Sequence, residues 1–294
     1  MTQKYETPPK YYSDTSPQLL IFTDMDGSLL DHFDYSADPA IPLLRALESQ
    51  GIPVIPVTSK TASEVLNLRT LLANEHPFIV ENGAAVCVPH GYFQKKPINS
   101  VEKDGYLRIE NTSPRSHWLT LLAHVGRRYR QEYDNFHEVY NQLGASGISQ
   151  LTGLDSQQAG AANCREYSEP IAWRGSLERR AQFIRELETH GATLLQGGRF
   201  LSLSGPCDKG LAVNQLTDLY RADCCRATLS LGIGDSNNDI AMLDRTDWAL
   251  MIPAGERALP TLRRATQTLV GVGDGPVGWN QGVRRWLELI NYTL

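Results

Sequence analysis

Two aspartates separated by one residue follow a largely apolar run near the start of the chain. In "LLIFTDMDGSLLD" (19–31), Asp24 and Asp26 come directly after that run, and Gly27 then permits a turn. Side chains at positions i and i+2 of an extended segment point to the same side. Two facing carboxylates repel each other unless a cation or a proton lies between them, so this pair indicates a metal site.

A second acidic group lies late in the chain, in "GIGDSNND" (232–239). Asp235 follows a short apolar run there, and Asp239 comes four residues later. Ligands of open parallel sheets bind outside the carboxyl ends of the strands, where such side chains would meet those of Asp24 and Asp26. Four carboxylates form an oxygen ligand set suited to Mg²⁺. The sequence therefore predicts a Mg²⁺ site at this edge.

Two further segments carry groups that suit a phosphoryl ligand. Thr58 in "VTSKT" (57–61) ends a second apolar run, where its hydroxyl and the nearby amides can hold a phosphoryl oxygen. Lys209 in "DKG" (208–210) precedes an amphipathic segment and offers a point charge to an anion. Together with Mg²⁺, this lysine would offset most of the acidic charge and let a dianionic phosphate approach an aspartate nucleophile.

Short apolar runs alternate with helical patterns in the two ends of the chain. Helices are predicted over 39–51 and 61–75, and strands buried on both faces over 19–23, 52–58, 77–80, 229–234 and 248–252. Alternation of this kind predicts an α/β fold with a doubly wound parallel sheet.

The middle of the chain has a different pattern. It shows an amphipathic helix over 117–133 and strand-like segments over 166–175 and 199–205. We therefore predict a flexible leader over 1–17 and an inserted α+β cap domain over 90–199. The catalytic core would comprise 18–89 and 200–294.

The composition excludes several classes of protein. The 294 residues carry a net charge of −5, which gives no basic surface for nucleic acid and no polybasic membrane anchor. No apolar stretch approaches the ~20 residues needed to span a bilayer. The five cysteines are scattered and lack C-x-x-C spacing, so we expect neither a disulfide framework nor a zinc site. A cytoplasmic protein with a small-molecule substrate is the expectation.

The four chemical segments resemble the motifs of a known family. "DMDGS", "VTSKT", "DKG" and "GDSNND" match, in the same order, the four motifs of the haloacid dehalogenase-like phosphatases, and the resemblance extends from about residue 18 onward. It implies the core fold of that family with a cap inserted between the second and third motifs. Shorter segments resemble the mannosyl-3-phosphoglycerate phosphatases, namely "TSKT", "ENGAAV", "REYSEP", "GGRF" and "GPVGW". A phosphorylated sugar acid is the substrate that this resemblance implies.

The family resemblance assigns different roles to the first two aspartates. Asp24 would be the nucleophile, forming an aspartyl-phosphate while its second oxygen binds Mg²⁺. Asp26 would protonate the leaving oxygen, deprotonate the water that cleaves the intermediate, and bind the metal through its backbone carbonyl.

The remaining motif residues would support these two. Asp235 would supply a metal carboxylate, and Asp239 would hold the outer shell. Lys209, Thr58 and Asn238 would neutralise the transferring phosphoryl group.

Substrate contacts are expected from two short segments. Ser59 and Lys60 follow Thr58, and "REYSEP" supplies Arg165, Ser168 and Glu169 from the inserted domain. An arginine can pair with a carboxylate through two hydrogen bonds, and a glutamate can accept hydrogen bonds from sugar hydroxyls.

Other functions remain open at the level of sequence. A phosphatase for a different sugar phosphate and a phosphomutase would use the same aspartyl-phosphate. A dehalogenase is disfavoured, because its chemistry needs neither Asp26 nor the metal site. A phospho-accepting signalling domain is the non-enzymatic alternative, but it needs only about half this length and no cap. The segment "GDGPVG" (273–278) fits a dinucleotide-binding pattern, but only 16 residues follow Gly278, too few for the strand that such a motif requires. We therefore expect a turn-rich loop there.

Overall fold

The computed structural model describes residues 16–197, 199–255 and 258–294. The predicted flexible leader lies almost entirely outside these ranges. The strands are β1 (Gln18–Thr23), β2 (Val54–Pro56), β3 (Phe78–Val80), β4 (Ala85–Pro89), β5 (Ser100–Lys103), β6 (Tyr106–Glu110), β7 (Tyr133–Asn135), β8 (Glu169–Trp173), β9 (Thr193–Gln196), β10 (Leu201–Ser204), β11 (Thr228–Gly234), β12 (Trp248–Met251) and β13 (Thr268–Val270).

The helices alternate with these strands. They are α1 (Ile41–Ser49), α2 (Ala62–Leu72), α3 (Arg115–Val125), α4 (Phe136–Leu143), α5 (Ala145–Thr152), α6 (Ser156–Asn163), α7 (Leu177–Glu188), α8 (Lys209–Cys224), α9 (Ile240–Arg245) and α10 (Gly275–Leu289). Three short 3-10 turns, Glu81–Gly83, Gly126–Tyr129 and Asn237–Asp239, complete the helical elements of the described residues.

The centre of the molecule is a parallel sheet with the strand order β13-β12-β11-β1-β2. Leu19 and Ile21 of β1 pack into the apolar cluster on one face, and Leu20 and Phe22 pack into the cluster on the other. This alternation is what a strand covered by helices on both faces requires. The predicted doubly wound α/β fold is confirmed.

Helices from distant parts of the chain cover the two faces. Trp279 and Trp286 of α10 pack on one face, while Val213 and Leu216 of α8 pack on the other. The sequence analysis treated the glycine-rich segment over 273–278 as a loop, but α10 begins inside it at Gly275, with a proline in its first turn. Proline suits that position because its missing N–H would have no partner within the helix.

A second, antiparallel sheet with the order β3-β4-β6-β5 continues the core. A parallel bridge between Val57 and Ile79 joins it to the end of β2. Leu107 of β6 and Phe93 pack in the same cluster as Leu20. Residues up to the end of β6 therefore pack with the core, and the cap boundary at residue 90 stays a prediction. The β5–β6 hairpin carries no long apolar run, so the sequence pattern did not reveal its pairing.

The inserted cap has its own antiparallel sheet, with the order β7-β8-β10-β9. Trp118 and Leu122 of α3 pack against it, as the predicted apolar stripe requires. The expected helix over 117–133 ends earlier, at Val125, and passes into a 3-10 turn. That turn begins at Gly126, where a Cβ would lie 2.9 Å from the hydroxyl of Tyr133, the first residue of β7.

No disulfide joins the five cysteines, all of which the structure describes. The cysteines are free, and burial raises the pKa of Cys87 to about 12, so its thiol stays protonated. Within the described ranges, no helix combines the length and the apolar content that crossing a membrane demands.

Candidate active site

The ends of three neighbouring strands bring the first motif residues together. Asp24 follows β1 and Asp235 follows β11, the parallel strand beside it. The N–H of Asp24 donates to the carbonyl of Ile233 at 2.8 Å, which fixes the relative height of the two ends. Thr58 follows β2 on the other side of β1, and its N–H donates to Ile79 at 3.0 Å.

Three acidic side chains form a cluster at this edge. Carboxylate oxygens of Asp24, Asp235 and Asp239 lie within 4.8 Å of one another. Burial and the neighbouring Asp239 raise the pKa of Asp24, against the opposing effect of Lys209. Burial, again with Asp239, raises the pKa of Asp235 to about 6. Such a cluster is costly when fully ionised, and a divalent cation would relieve that cost.

Lys209 places a permanent positive charge inside the cluster. Its Nζ donates to Oδ1 of Asp24 at 2.7 Å and to Oδ1 of Asp239 at 2.6 Å. Burial alone would lower the pKa of this fully buried lysine, but the two carboxylates outweigh it and raise the pKa. Asp208 caps α8 by accepting from the N–H of Leu211, so that Lys209 begins the helix and extends into the site.

Both carboxylate oxygens of Asp239 are engaged by the protein. Oδ1 accepts a hydrogen bond from Nζ of Lys209, and Oδ2 accepts from the N–H groups of Asp235 and Ser236, both at 3.1 Å. A Cβ at Gly234 would lie 2.4 Å from the Cβ of Asp239, so this close approach requires glycine. An aspartate with these contacts is better suited to orienting the cluster than to binding a metal directly.

The free oxygens of the cluster fit a hard cation. Among the described residues, no donor contacts Oδ2 of Asp24, and none contacts the backbone carbonyl of Asp26. Gly27 has φ +76°, and a Cβ there would lie 2.9 Å from Oδ2 of Asp235. The turn thus brings Gly27, the residue bonded to the carbonyl of Asp26, against Asp235. With Asp24 and Asp235, that carbonyl gives the oxygen donors that Mg²⁺ prefers.

The side chain of Asp26 lies at the mouth of the site, about one third exposed at 35%. Its Oδ2 pairs with Nζ of Lys60 at 2.8 Å, and its buried Oδ1 has no hydrogen-bond partner among the described residues. Burial alone would lower the pKa of Lys60, but Asp26 and Glu64 outweigh it and raise the pKa. Sequence reasoning expected Lys60 to contact substrate, and the structure places it against the expected general acid.

Asn82 links two of the expected phosphoryl contacts and was missed as a site residue. Its N–H donates to the carbonyl of Thr58 at 2.9 Å, and its Oδ1 accepts from Asn238 at 3.4 Å. Thr58 is buried, and its Oγ1 accepts from the N–H of Lys60. The sequence signal that could have identified Asn82 is the polar segment "ENG" between two buried strands.

The structure brings Arg165 of the cap to the loop that carries Thr58. Its Nη1 donates to the carbonyl of Ser59 at 2.9 Å. Its Nε is buried and has no hydrogen-bond partner in the part of the chain that the structure describes. No carboxylate among those residues pairs with this guanidinium, which leaves it able to receive an anionic group.

The other two candidates from "REYSEP" have different partners. The hydroxyl of Ser168 donates to Glu81 at 2.6 Å. Glu169 is completely buried, with Oε2 on Nε of Arg115 at 2.5 Å and Oε1 accepting from the N–H of His137 at 2.7 Å. The structure therefore does not bring Ser168 or Glu169 to the acidic cluster. Glu169 is held inside the cap, and Ser168 lies at the junction between the cap and the core.

Comparison with known proteins gives three kinds of match. A family model described as haloacid dehalogenase-like hydrolase matches residues 21–158. A glucosyl-3-phosphoglycerate/mannosyl-3-phosphoglycerate phosphatase from Methanococcoides burtonii is 33% identical over 264 residues, 90% of this chain and 95% of the relative. The protein of the same name from Persephonella marina is 34% identical over 287 residues, 92% of this chain and 98% of the relative.

A solved structure matches the fold over almost the whole chain. A phosphatase of the haloalkanoate superfamily from Bacteroides thetaiotaomicron has a TM-score of 0.64 at 16% identity, covering 97% of this chain and 99% of its own. The two sequence relatives carry the likeness through both the core and the cap. The resemblance inferred from the motifs is confirmed: the chain belongs to the haloacid dehalogenase-like hydrolases and is one of their phosphatases.

Proposed function

We propose that this enzyme is a Mg²⁺-dependent phosphomonoesterase that hydrolyses mannosyl-3-phosphoglycerate or glucosyl-3-phosphoglycerate. The arrangement around Asp24 is the observation that carries the proposal. Lys209 holds one oxygen of this buried carboxylate at 2.7 Å, while the other oxygen lies in the acidic cluster without a donor among the described residues. A fixed carboxylate of this kind is suited to attack on phosphorus.

The first half-reaction transfers the phosphoryl group to the enzyme. An oxygen of Asp24 forms a bond to phosphorus while the bond from phosphorus to the C3 oxygen of the glycerate breaks. Asp26 donates its proton to that leaving oxygen, so the glycosylglycerate departs with a hydroxyl group and not an alkoxide at C3. Lys209 and Thr58 stabilise the phosphoryl oxygens. Asp24, Asp235 and the carbonyl of Asp26 would hold Mg²⁺, which would supply further charge neutralisation for the phosphoryl group.

The second half-reaction restores the enzyme. Asp26, now a carboxylate, accepts a proton from a water molecule as that water attacks phosphorus. The bond from phosphorus to Asp24 breaks, which releases inorganic phosphate and returns the carboxylate. Lys60 holds Asp26 in position through the 2.8 Å contact with its Oδ2, which is a hydrogen bond when Asp26 is protonated and an ion pair when it is a carboxylate.

The substrate class follows from the relatives and from one cap residue. Both sequence relatives are named for glucosyl- and mannosyl-3-phosphoglycerate. Such a substrate carries a carboxylate besides its phosphate. The guanidinium of Arg165, which has no carboxylate partner among the described residues, lies beside the Thr58 loop. Arg165 is therefore the proposed carboxylate contact, in preference to Ser168 and Glu169, whose polar groups already have protein partners.

A phosphate-release assay tests the substrate class. Both glycosyl phosphoglycerates should release phosphate with Mg²⁺ and not in excess chelator, and glucose 6-phosphate should react more slowly. Equal or faster release from simple sugar phosphates would contradict the proposed specificity. An isomerised sugar phosphate without phosphate release would identify a phosphomutase instead.

A trapping experiment tests the covalent intermediate. An aryl phosphate has a leaving group that needs no proton, so Asp26→Asn should still complete the first half-reaction with it. The second half-reaction then lacks its base, and phosphate should accumulate on Asp24. Intact-mass measurement of the quenched variant detects the adduct, and Asp24→Asn in the same background should abolish it.

A further inference from the structure

The 3-10 turn Glu81–Gly83 has an unusual backbone. Glu81 has φ +48° and Asn82 has φ +59°, followed by Gly83 at φ +95°. Residues with a Cβ rarely adopt positive φ, because the Cβ then approaches the backbone closely. Two such residues in succession persist only where surrounding contacts hold them.

This turn contacts two catalytic loops directly. The N–H of Glu81 donates to the carbonyl of Lys60 at 3.0 Å, and the N–H of Asn82 donates to Thr58 at 2.9 Å. The side chain of Asn82 accepts from Asn238. The conformation of the turn therefore determines where the Thr58 loop and Asn238 lie.

The same turn lies against the start of the helix that carries Lys209. A Cβ added to Gly83 would lie 2.2 Å from the carbonyl oxygen of Asp208 and 2.9 Å from the N of Lys209. A side chain at Gly83 would collide with this backbone, so the turn packs directly against the residues that begin α8.

The cap, and not the core, satisfies the carboxylate of Glu81. The side chain is 1% exposed and accepts from the N–H of Glu166 at 2.8 Å, the N–H of Tyr167 at 3.2 Å and the hydroxyl of Ser168 at 2.6 Å. No cation pairs with it among the described residues. A buried carboxylate without a cation depends on its hydrogen bonds, so the conformation of Glu81 depends on the cap segment 166–168.

Independent contacts dock that segment on the core. The carboxylate of Glu166 pairs with Lys103 and with the buried Arg108. The hydroxyl of Tyr167 donates to Glu110 at 2.7 Å. These partners lie on β5 and β6, away from the acidic cluster, so they hold the segment without touching the catalytic loops.

We propose that Glu81 is a positioning residue that couples docking of the cap to alignment of the catalytic groups. The docked segment 166–168 holds the carboxylate, and the carboxylate keeps the strained turn in the conformation that places Thr58, Asn238 and Lys209. The cap then contributes to the chemical step itself, in addition to substrate recognition. This inference rests on the proposed function, because it takes those three residues as the phosphoryl contacts.

The test uses Glu81→Gln and an aryl phosphate too small to need the cap for binding. The amide keeps the volume of the side chain but turns an NH₂ group toward donors, so it cannot accept all three hydrogen bonds. We expect kcat to fall about tenfold to a hundredfold, as misplaced catalytic groups do, with KM within about twofold of the parent value. Glycosyl phosphoglycerate turnover should fall by a similar factor.

Glu110→Gln is the matched control. It makes the same charge change in a residue that contacts the same cap segment but does not adjoin the turn. Its amide oxygen can still accept the hydrogen bond from Tyr167, so the segment stays docked and kcat should equal that of the parent. Parental kcat in folded Glu81→Gln, even with a lowered melting temperature, would overturn the proposal, as would an equal loss in Glu110→Gln. A parent enzyme that releases no phosphate would refute the proposed function instead.

A second variant keeps the test decisive if Glu81→Gln does not fold. Ser168→Ala removes the hydroxyl donor from the cap side and leaves the turn residues intact. We expect a several-fold lower kcat on the aryl phosphate with unchanged KM. An unchanged kcat in Ser168→Ala would overturn the proposal by itself.

Discussion

At the scale of single residues, the chemistry depends on how burial sets the charge state of Asp24. Burial and Asp239 favour its protonated form, whereas Lys209 at 2.7 Å favours the carboxylate. A metal bound to the free oxygens would add to the effect of the lysine. Under the proposed function, both cations would be needed before a negatively charged phosphate approaches.

Asp24→Asn should abolish turnover while the fold is retained. The amide has no nucleophilic oxygen and no negative charge, so phosphate release should fall more than about a thousandfold. Phosphate release and a circular dichroism spectrum on the same sample measure the two effects. Asp218→Asn, an exposed acid on α8, is the control and should keep full activity. A folded Asp24→Asn protein with substantial turnover would contradict the assignment of the nucleophile.

Binding of Mg²⁺ should stabilise the protein more at high pH than at low pH. The pKa of Asp235 is raised to about 6, so its favourable contribution to stability is lost as the pH rises through that value. Mg²⁺ binds the ionised form and competes with the proton. At about a hundredfold excess over Kd, the melting temperature should rise by ~5 °C at about pH 8, and by much less at about pH 5.

Thermal unfolding with Mg²⁺ or with chelator, at both pH values, measures this difference. Asp235→Asn removes one ligand and the titrating group, so its melting temperature should respond little to Mg²⁺ at either pH. A full Mg²⁺ response in Asp235→Asn would place the metal elsewhere.

At the scale of elements, the start of β8 is fixed by a buried ion pair. Glu169 pairs with Arg115 at the start of α3 and accepts from the first turn of α4, so it joins three elements of the cap. Sequence reasoning gave this glutamate to the sugar. With both oxygens occupied, it acts on the stability of the cap instead.

Glu169→Ala should destabilise the cap strongly. It leaves the guanidinium of Arg115 buried without a counter-charge, with only its hydrogen bonds to Asn163, and breaking a buried ion pair in this way typically costs about 3–5 kcal/mol. Chemical denaturation measures the change in the free energy of unfolding. Asp134→Ala breaks the more exposed pair with Arg174 in the same cap and should cost about 1 kcal/mol or less. Similar losses in the two variants would show that Glu169 does not have this role.

At the scale of the whole molecule, the site lies where the cap meets the core. The core supplies the acidic cluster, Thr58 and Lys209, all at the carboxyl edge of one parallel sheet. The cap reaches that edge through Arg165 and the segment that follows it. Substitution of Arg165 can thus test substrate selectivity separately from the catalytic groups of the core.

Arg165→Ala should impair the glycosyl phosphoglycerates selectively. Loss of a charge-assisted contact to the substrate carboxylate should raise KM about tenfold to a hundredfold. An aryl phosphate has no such carboxylate, so its hydrolysis should change little. Steady-state kinetics on both substrates decides the matter, with the exposed cap residue Arg174→Ala as control. Equal losses on the two substrates, or no loss, would remove Arg165 from the substrate site.

The sequence by itself determined the core of the site. Asp24, Thr58 and Asp235 each follow a buried apolar strand, and neighbouring parallel strands end at the same edge. Asp208 and Lys209 lie at a helix start because an aspartate there caps the N-terminus. These are local features, so period, spacing and capping were enough to find them.

The tertiary structure alone decided how the cap is attached. Charged residues are usually exposed, so "REYSEP" suggested a surface segment facing the substrate. The partner of Glu169 is Arg115, 54 residues earlier, and the partner of Ser168 is Glu81, 87 residues earlier. No periodicity in the sequence specifies pairs so far apart. Which charge is buried, and what balances it, depends on contacts that exist only once the chain has folded.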